Sequence, residues 1–300
     1  MEKRAKVSII LVNYNGYKDT IECLESLRKI AYPNYEITII DNASTNDSVK
    51  HINKVLLPER ENIIVAEVNA GFSAGNNIGI KYAISRGSEY MLLLNNDTVV
   101  EPDFLDKLIE GFQFSPNCGL TIGKILYERN RNIIWYGGGD FNKKTGKTEH
   151  WSYNTIDTSS PLIPQSVSFA TGCCMCLSKR VIEDVGFMDE SYFLYEEDVD
   201  YCLRLINLGY EILYVPTARI YHKVNASTGL LSGISQYYMI RNKYLLIEKF
   251  FHGSSKLIAI TRATIQFLFR CIKKELEFKY LRKAYIAYKR HETGKTKDSI

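Results

Sequence analysis

Residues 7–112 alternate short β-branched runs with helix-spaced apolar patterns, and this alternation constrains the fold more than any other feature. Residues 7–12 (VSIILV) form a continuous apolar run, as in a strand covered on both faces. Ile21, Leu24, Leu27 and Ile30 follow at helical spacing, and Pro33 is expected to end that helix. Residues 35–40 (YEITII) predict a second strand, 44–55 a helix opened by capping residue types, and 63–68 a third strand. A helix over 76–85 and a strand over 90–94 (YMLLL) come next, then a helix over 104–112 introduced by Pro102. Such a series predicts an α/β fold: a mostly parallel central sheet, helices on both faces and right-handed crossovers.

Past residue 120 the alternation stops. Residues 135–147 read as hairpins or loops, and 167–177 as one strand. Residues 197–208 read as a helix closed by Gly209, and 210–215 as a strand stopped by Pro216. From residue 236 the chain is helical, aromatic and basic, which places a boundary near 235 and a helical extension over 236–300. Charge follows the same division. The net charge of +4 hides 15 Lys and Arg against 5 Asp and Glu in residues 241–300, and 23 against 29 before them. A basic region of this kind suits an acidic partner surface. Nucleic acid is set aside, because no recognition motif accompanies the charge.

Seven cysteines, an odd number in a long chain, imply no disulfide framework. Cys173, Cys174 and Cys176 lie in an apolar run without a second pair at zinc spacing, and read as buried strand residues. The run at 7–12 is too short for a secretory leader, and no stretch of about 18 uncharged apolar residues occurs. The expected location is the cytoplasm, with any membrane contact peripheral, on the inner face.

In an open parallel sheet, ligands bind beyond the carboxyl ends of the strands. Four successive strands end in Asn13–Asn15, Asp41–Ser44, Asn69–Asn77 and Asn95–Asp97 clusters. Each alone suits a turn; together they predict one polar rim that includes Gly71, Asn76 and Asn96. Asp41 stands where a ribose-binding acid of a dinucleotide enzyme would stand. However, neither a G-x-G-x-x-G nor a P-loop follows the first strand. A bound diphosphate then needs another neutraliser, and Mg²⁺ or Mn²⁺ on Asp97 is the natural one. His222 is a second candidate ligand. Glu196, Glu197, Asp198 and Asp200 crowd the start of a helix, where repulsion and burial should raise at least one pKa and suit a general base. Asp200 also fits an i,i+4 pair with Arg204.

Taken in order, Asn13-Tyr14-Asn15, Asp41-Asn42-Ala43-Ser44, Asn69-Ala70-Gly71-Phe72, Leu94-Asn95-Asn96-Asp97, Gly172, Glu197-Asp198 and His222 resemble the family 2 glycosyltransferases, in their rhamnosyltransferase-like branch. The resemblance covers about residues 5–245. It implies a GT-A fold over 1–235, with a nucleotide-binding half (1–120) and an acceptor half (121–235). It implies that Asp41 contacts base or ribose, with Asn13 and Asn69 beside it, and that Asn15, Gly71, Asn76, Asn95 and Asn96 line the nucleotide site. Asp97 matches the last acid of the D-x-D metal motif, with Asn95 replacing its first acid. His222 matches a further metal or diphosphate ligand. Asp198, with Glu197 beside it, matches the acceptor's base, and Arg241 a diphosphate-side contact. The implied reaction is inverting transfer from a dTDP- or UDP-linked sugar to a glycan or lipid-linked glycan of the cell envelope. Trp135, Trp151 and Tyr195 are candidate acceptor contacts, since sugars stack on such rings. A non-catalytic nucleotide-sugar-binding subunit and an NAD-dependent oxidoreductase are the alternatives.

Overall fold

The structure is a computed structural model that describes residues 4–158, 162–224 and 232–296. It opens with β1 (Val7–Asn13), α1 (Tyr17–Leu27), β2 (Tyr35–Asp41), α2 (Ser48–Asn53), β3 (Glu61–Val65), α3 (Phe72–Ser85) and β4 (Tyr90–Asn95). The middle holds β5 (Thr98–Val100), α4 (Phe104–Gly111), β6 (Cys118–Tyr127), β7 (Asn130–Tyr136), β8 (Gly139–Asn142), β9 (Lys147–His150), β10 (Gln165–Val167) and β11 (Cys174–Ser178). Then come α5 (Lys179–Val185), α6 (Glu197–Asn207), β12 (Glu211–His222), α7 (Gly233–Phe250), α8 (Gly253–Ile272) and α9 (Phe278–Lys289).

The main sheet runs β10-β12-β6-β11-β4-β1-β2-β3, with β5 on β12 and β7 on β6. Strands β4, β1, β2 and β3 are parallel, as the buried runs predict, and β11 joins antiparallel to β4 and β6. Register aligns Asn13 with Asp41, Asp41 with Val65 and Val12 with Asn95. The strand ends therefore meet at one edge, as expected. The core that begins at Val7 is continuous through Tyr237, Tyr244 and Ile247 of α7 and Leu281 and Ala284 of α9.

Several boundaries differ from the expectation. Helix α1 ends at Leu27, before Pro33. Helix α2 starts only at Ser48, because the backbone at Ser44 donates to Asp41 and that at Thr45 to Asn15. Helix α3 starts at Phe72, with Asn76 and Asn77 inside it. The small residues before them are not a loop: a Cβ at Gly75 would lie 2.9 Å from Val12 Cγ1, and one at Gly79, a turn further on, 2.4 Å from Ile10 Cγ2, so glycine lets α3 press onto β1. The single strand expected over 167–177 is β10 and β11, with the chain leaving the sheet between them. Pro216 does not stop β12. The β12–β6 register shifts between Val215 and Arg219, where a missing N–H costs no ladder bond.

Candidate active site

The rim is built by side chains that satisfy one another. Asp41 is fully buried, and its carboxylate accepts from Asn13 Nδ2 at 2.7 Å and from the Ser44 hydroxyl and backbone at 2.7 and 2.8 Å. Asn13 Oδ1 accepts from Thr20 at 2.9 Å, and Asn96 Nδ2 donates to the same Thr20 hydroxyl. Asn15 Oδ1 accepts from the backbone of Thr45 and Asn46. Asn76 donates to Phe72 O within α3. Asn69 Oδ1 accepts from the Gly71 backbone and from Asn42 Nδ2. At Gly71 φ is +100°, and a Cβ there would lie 2.3 Å from Phe193 O, so only glycine fits.

Beside this lattice lies a cavity of about 470 Å³. Val12, Tyr14, Asn42, Asn69 and Gly71 form one wall, Phe193 and Leu194 a second, and Tyr238 and Lys295 a third. Asn42 Oδ1 is buried without a hydrogen-bond partner at this wall. Sequence reasoning passed over Asn42 and Tyr14, although both sit in the quoted motifs. Their signal was position: one residue beyond a strand end, where the chain turns toward the ligand edge. It also missed the wall from Tyr238 and Lys295, which no local pattern marks. Arg241 lies behind that wall. Its guanidinium packs over the Tyr238 ring at 4.8 Å and donates to Asn242 Oδ1 and Gly294 O.

Strand pairing sets Thr98 of β5 opposite His222 of β12 and so brings Asp97 to the imidazole. Asp97 Oδ1 lies 3.1 Å from His222 Nε2. His222 Nδ1 is buried and unpartnered, and the Trp135 ring stands edge-on to the imidazole at 4.8 Å between centroids. No group of three or more potential metal ligands occurs among the described residues. One carboxylate and one imidazole still fit a hard divalent cation that takes its remaining ligands from phosphate and water. Asn95 adds an amide in place of a carboxylate; its backbone N–H donates to Cys173 O.

The Cys173 peptide also leads to the acidic cluster. The Gly172 N–H donates to Asp198 Oδ2 at 2.9 Å, and the Val199 N–H to Asp198 Oδ1 at 2.8 Å. Burial pushes the Asp198 carboxyl up, against these two hydrogen bonds. Burial pushes Glu197 well up, and the charge of Asp198 adds to the effect; Glu197 Oε2 has no partner. Glu196 is also raised by burial, offset by Lys243 at 2.7 Å. Asp200 is spent on Arg204 and Lys249. Tyr195, partly exposed, and Glu196 both have φ +72°. Each such residue costs about 1–3 kcal/mol unless its surroundings hold it. Here α7 does so: Asn242 Nδ2 donates to Leu194 O and Tyr195 O at 2.8 and 2.9 Å.

The two candidate acceptor tryptophans part company. Trp135 lines a second cavity, of about 530 Å³, with Lys147, Glu149, His150 and Tyr153. Burial lowers the pKa of His150, whose Nδ1 lies 3.0 Å from Trp135 O. Trp151 is a packing residue: its indole N–H donates to Asp140, and its ring lies against Gly138.

The sequence profile described as Glycosyl transferase family 2 matches residues 8–186. The chain belongs to that family. This glycosyltransferase is 26% identical over 253 residues to a dTDP-rhamnosyl transferase, RfbF, of Shigella flexneri, covering 82% of this chain and 81% of the relative. It is 27% identical over 270 residues to the low-salt glycan biosynthesis hexosyltransferase Agl10 of Haloferax volcanii, covering 86% and 81%. Among solved structures it resembles the mannosyltransferase PcManGT from Pyrobaculum calidifontis in complex with GDP-Man and Mn²⁺. The TM-score is 0.62 at 12% identity, over 96% of this chain and 88% of that one. At that identity the likeness shows the fold, which is GT-A, and family membership sets aside the dehydrogenase alternative.

Proposed function

We propose that the chain is an inverting, metal-assisted glycosyltransferase that moves a sugar, with rhamnose the first to test, from a dTDP- or UDP-linked donor to a glycan or lipid-linked glycan hydroxyl. The observation that carries this reading is the bridge at residues 172–173: Gly172 holds the Asp198 carboxylate while Cys173 holds Asn95, two residues from Asp97. A candidate base and a candidate cation site thus share one rigid support.

Asp41, Asn13 and Asn96 keep the rim shaped, and Asn42 Oδ1 accepts from the N–H of the pyrimidine, with Tyr14 beside it. Asp97 and His222 would hold Mg²⁺ or Mn²⁺, which would supply positive charge to the diphosphate leaving group. Asp198 takes the proton of the acceptor hydroxyl as that oxygen attacks the anomeric carbon, a single displacement that inverts it. Burial and the charge of Asp198 push the Glu197 carboxyl up, so the pair disfavours two negative charges side by side. The acceptor's sugars lie along Trp135 and Tyr153, next to His222. A lipid-linked acceptor places the work at the cytoplasmic face of a membrane.

The test is a panel of dTDP-, UDP- and GDP-sugars with Mn²⁺, read by thermal shift and by nucleoside diphosphate release. One pyrimidine donor should stabilise the protein most. Asp198→Asn should lower turnover about 10²–10⁴-fold with the donor-induced shift unchanged. Comparable turnover by Asp198→Asn would remove it as the base, and a retained anomeric configuration would overturn the single displacement.

A further inference from the structure

Helix α8 has two apolar faces. Ala259, Ala263 and Phe267 are buried against the body of the protein. Leu257, Ile258, Ile265, Leu268, Phe269 and Ile272 face outward, with Leu257, Ile265 and Ile272 exposed by 69%, 60% and 77%. At about 100° per residue these six fall within an arc of roughly 120°. An ordinary surface scatters its exposed apolar residues singly, so a stripe about four turns long, broken only by Thr261, needs a covering.

The charge around the stripe decides what that covering is. Arg262 and Lys273 border it, both exposed, and the next helix, α9, carries exposed Arg282 and Lys283, with Lys279 paired to Glu277 at 2.8 Å. Two copies of this chain meeting stripe to stripe would set these cations against one another. An acidic surface would pair with them. No helix among the described residues is long and apolar enough to cross a membrane, but a surface-lying helix needs only an apolar face and a basic border.

We infer that α8 lies in the interface of an anionic lipid bilayer, its outward stripe at the acyl boundary and the basic residues of α8 and α9 on the headgroups. This goes beyond the catalytic reading and does not depend on it, since binding is read without a donor sugar.

The experiment is sedimentation of the full chain with vesicles of phosphatidylcholine alone or mixed with phosphatidylglycerol. The chain should pellet with the anionic vesicles and be released by salt. Ile265→Asp/Phe269→Asp alters only exposed positions; it should keep the wild-type melting temperature and lose at least about tenfold in binding. Arg262→Gln and Lys273→Gln should each lose about fivefold. Three results would overturn the inference. One is no binding to anionic vesicles at low salt. Another is equal binding by Ile265→Asp/Phe269→Asp. The third is a wild-type dimer in solution that the same double substitution makes monomeric, which would give the stripe to a second copy.

Discussion

The rim of the parallel strands and the acidic turn before α6 are built in opposite ways. On the rim, neutral amides and hydroxyls surround one carboxylate, Asp41, and use up its oxygens. The partners of Asp41 are Asn13 and Ser44, both at the ends of adjacent strands. The acidic turn gathers carboxylates that repel one another and two residues in the left-handed region. Its support comes from α7, nearly fifty residues further along the chain. A surface that only has to fit a ligand can be satisfied in advance. In the turn, Glu197 Oε2 has no partner, Asp198 accepts from two backbone N–H groups, and burial pushes both carboxyls up, a cost the surrounding structure bears.

Breaking the rim should have the largest effect. Asp41→Ala strands the Asn13 and Ser44 donors, which should cost about 2–4 kcal/mol of stability and abolish nucleotide binding; a melt at or near the wild-type temperature would show the lattice to be dispensable. Breaking the turn should separate catalysis from binding. Asn242→Ala frees the carbonyls of Leu194 and Tyr195 and should lower kcat about 10²-fold by misplacing Asp198, while nucleotide affinity stays put. A rise in KM with kcat intact would contradict this.

Two smaller effects sharpen the contrast. Asn42→Ala removes the Oδ1 acceptor, and with it the Nδ2 bonds to Asn69 Oδ1 and Gly71 O, while leaving the partners of Asp41 in place; it should weaken nucleoside diphosphate binding about tenfold by calorimetry, with kcat at saturation unchanged. Glu197→Gln tests the stored charge. Because folding raises the pKa of Glu197, the native state binds its proton more tightly, so its contribution is present at low pH and is lost as pH rises through the raised value. The glutamine variant should therefore melt higher than the wild type at pH 8, and the difference should vanish toward pH 4. The same sign applies to turnover: Asp198 must be ionised to act, so kcat should climb with pH through its raised pKa.

How much of this was legible depended on the range of the interactions involved. Strands β1, β2 and β4 announced themselves because burial on both faces demands unbroken apolar runs. The common edge of Asn13, Asp41 and Asn95 followed from parallel pairing. Helix boundaries were misread where a side chain reached across to another loop, as Asn15 does to Thr45. Asp41 and Asn42 differ by one position, and only their packing shows that Asp41 is enclosed while Asn42 lines the cavity.

The sequence by itself determined the α/β class, the polar rim, the acidic cluster at α6 and the basic C-terminal region, all properties of spacing and composition. Only the tertiary structure decided that Asp97 meets His222, that α7 props the strained turn, and that α8 turns an apolar stripe outward. Each of these depends on contacts between distant residues, and pairing across a sheet or packing between helices follows from which surfaces the whole chain can bury at once.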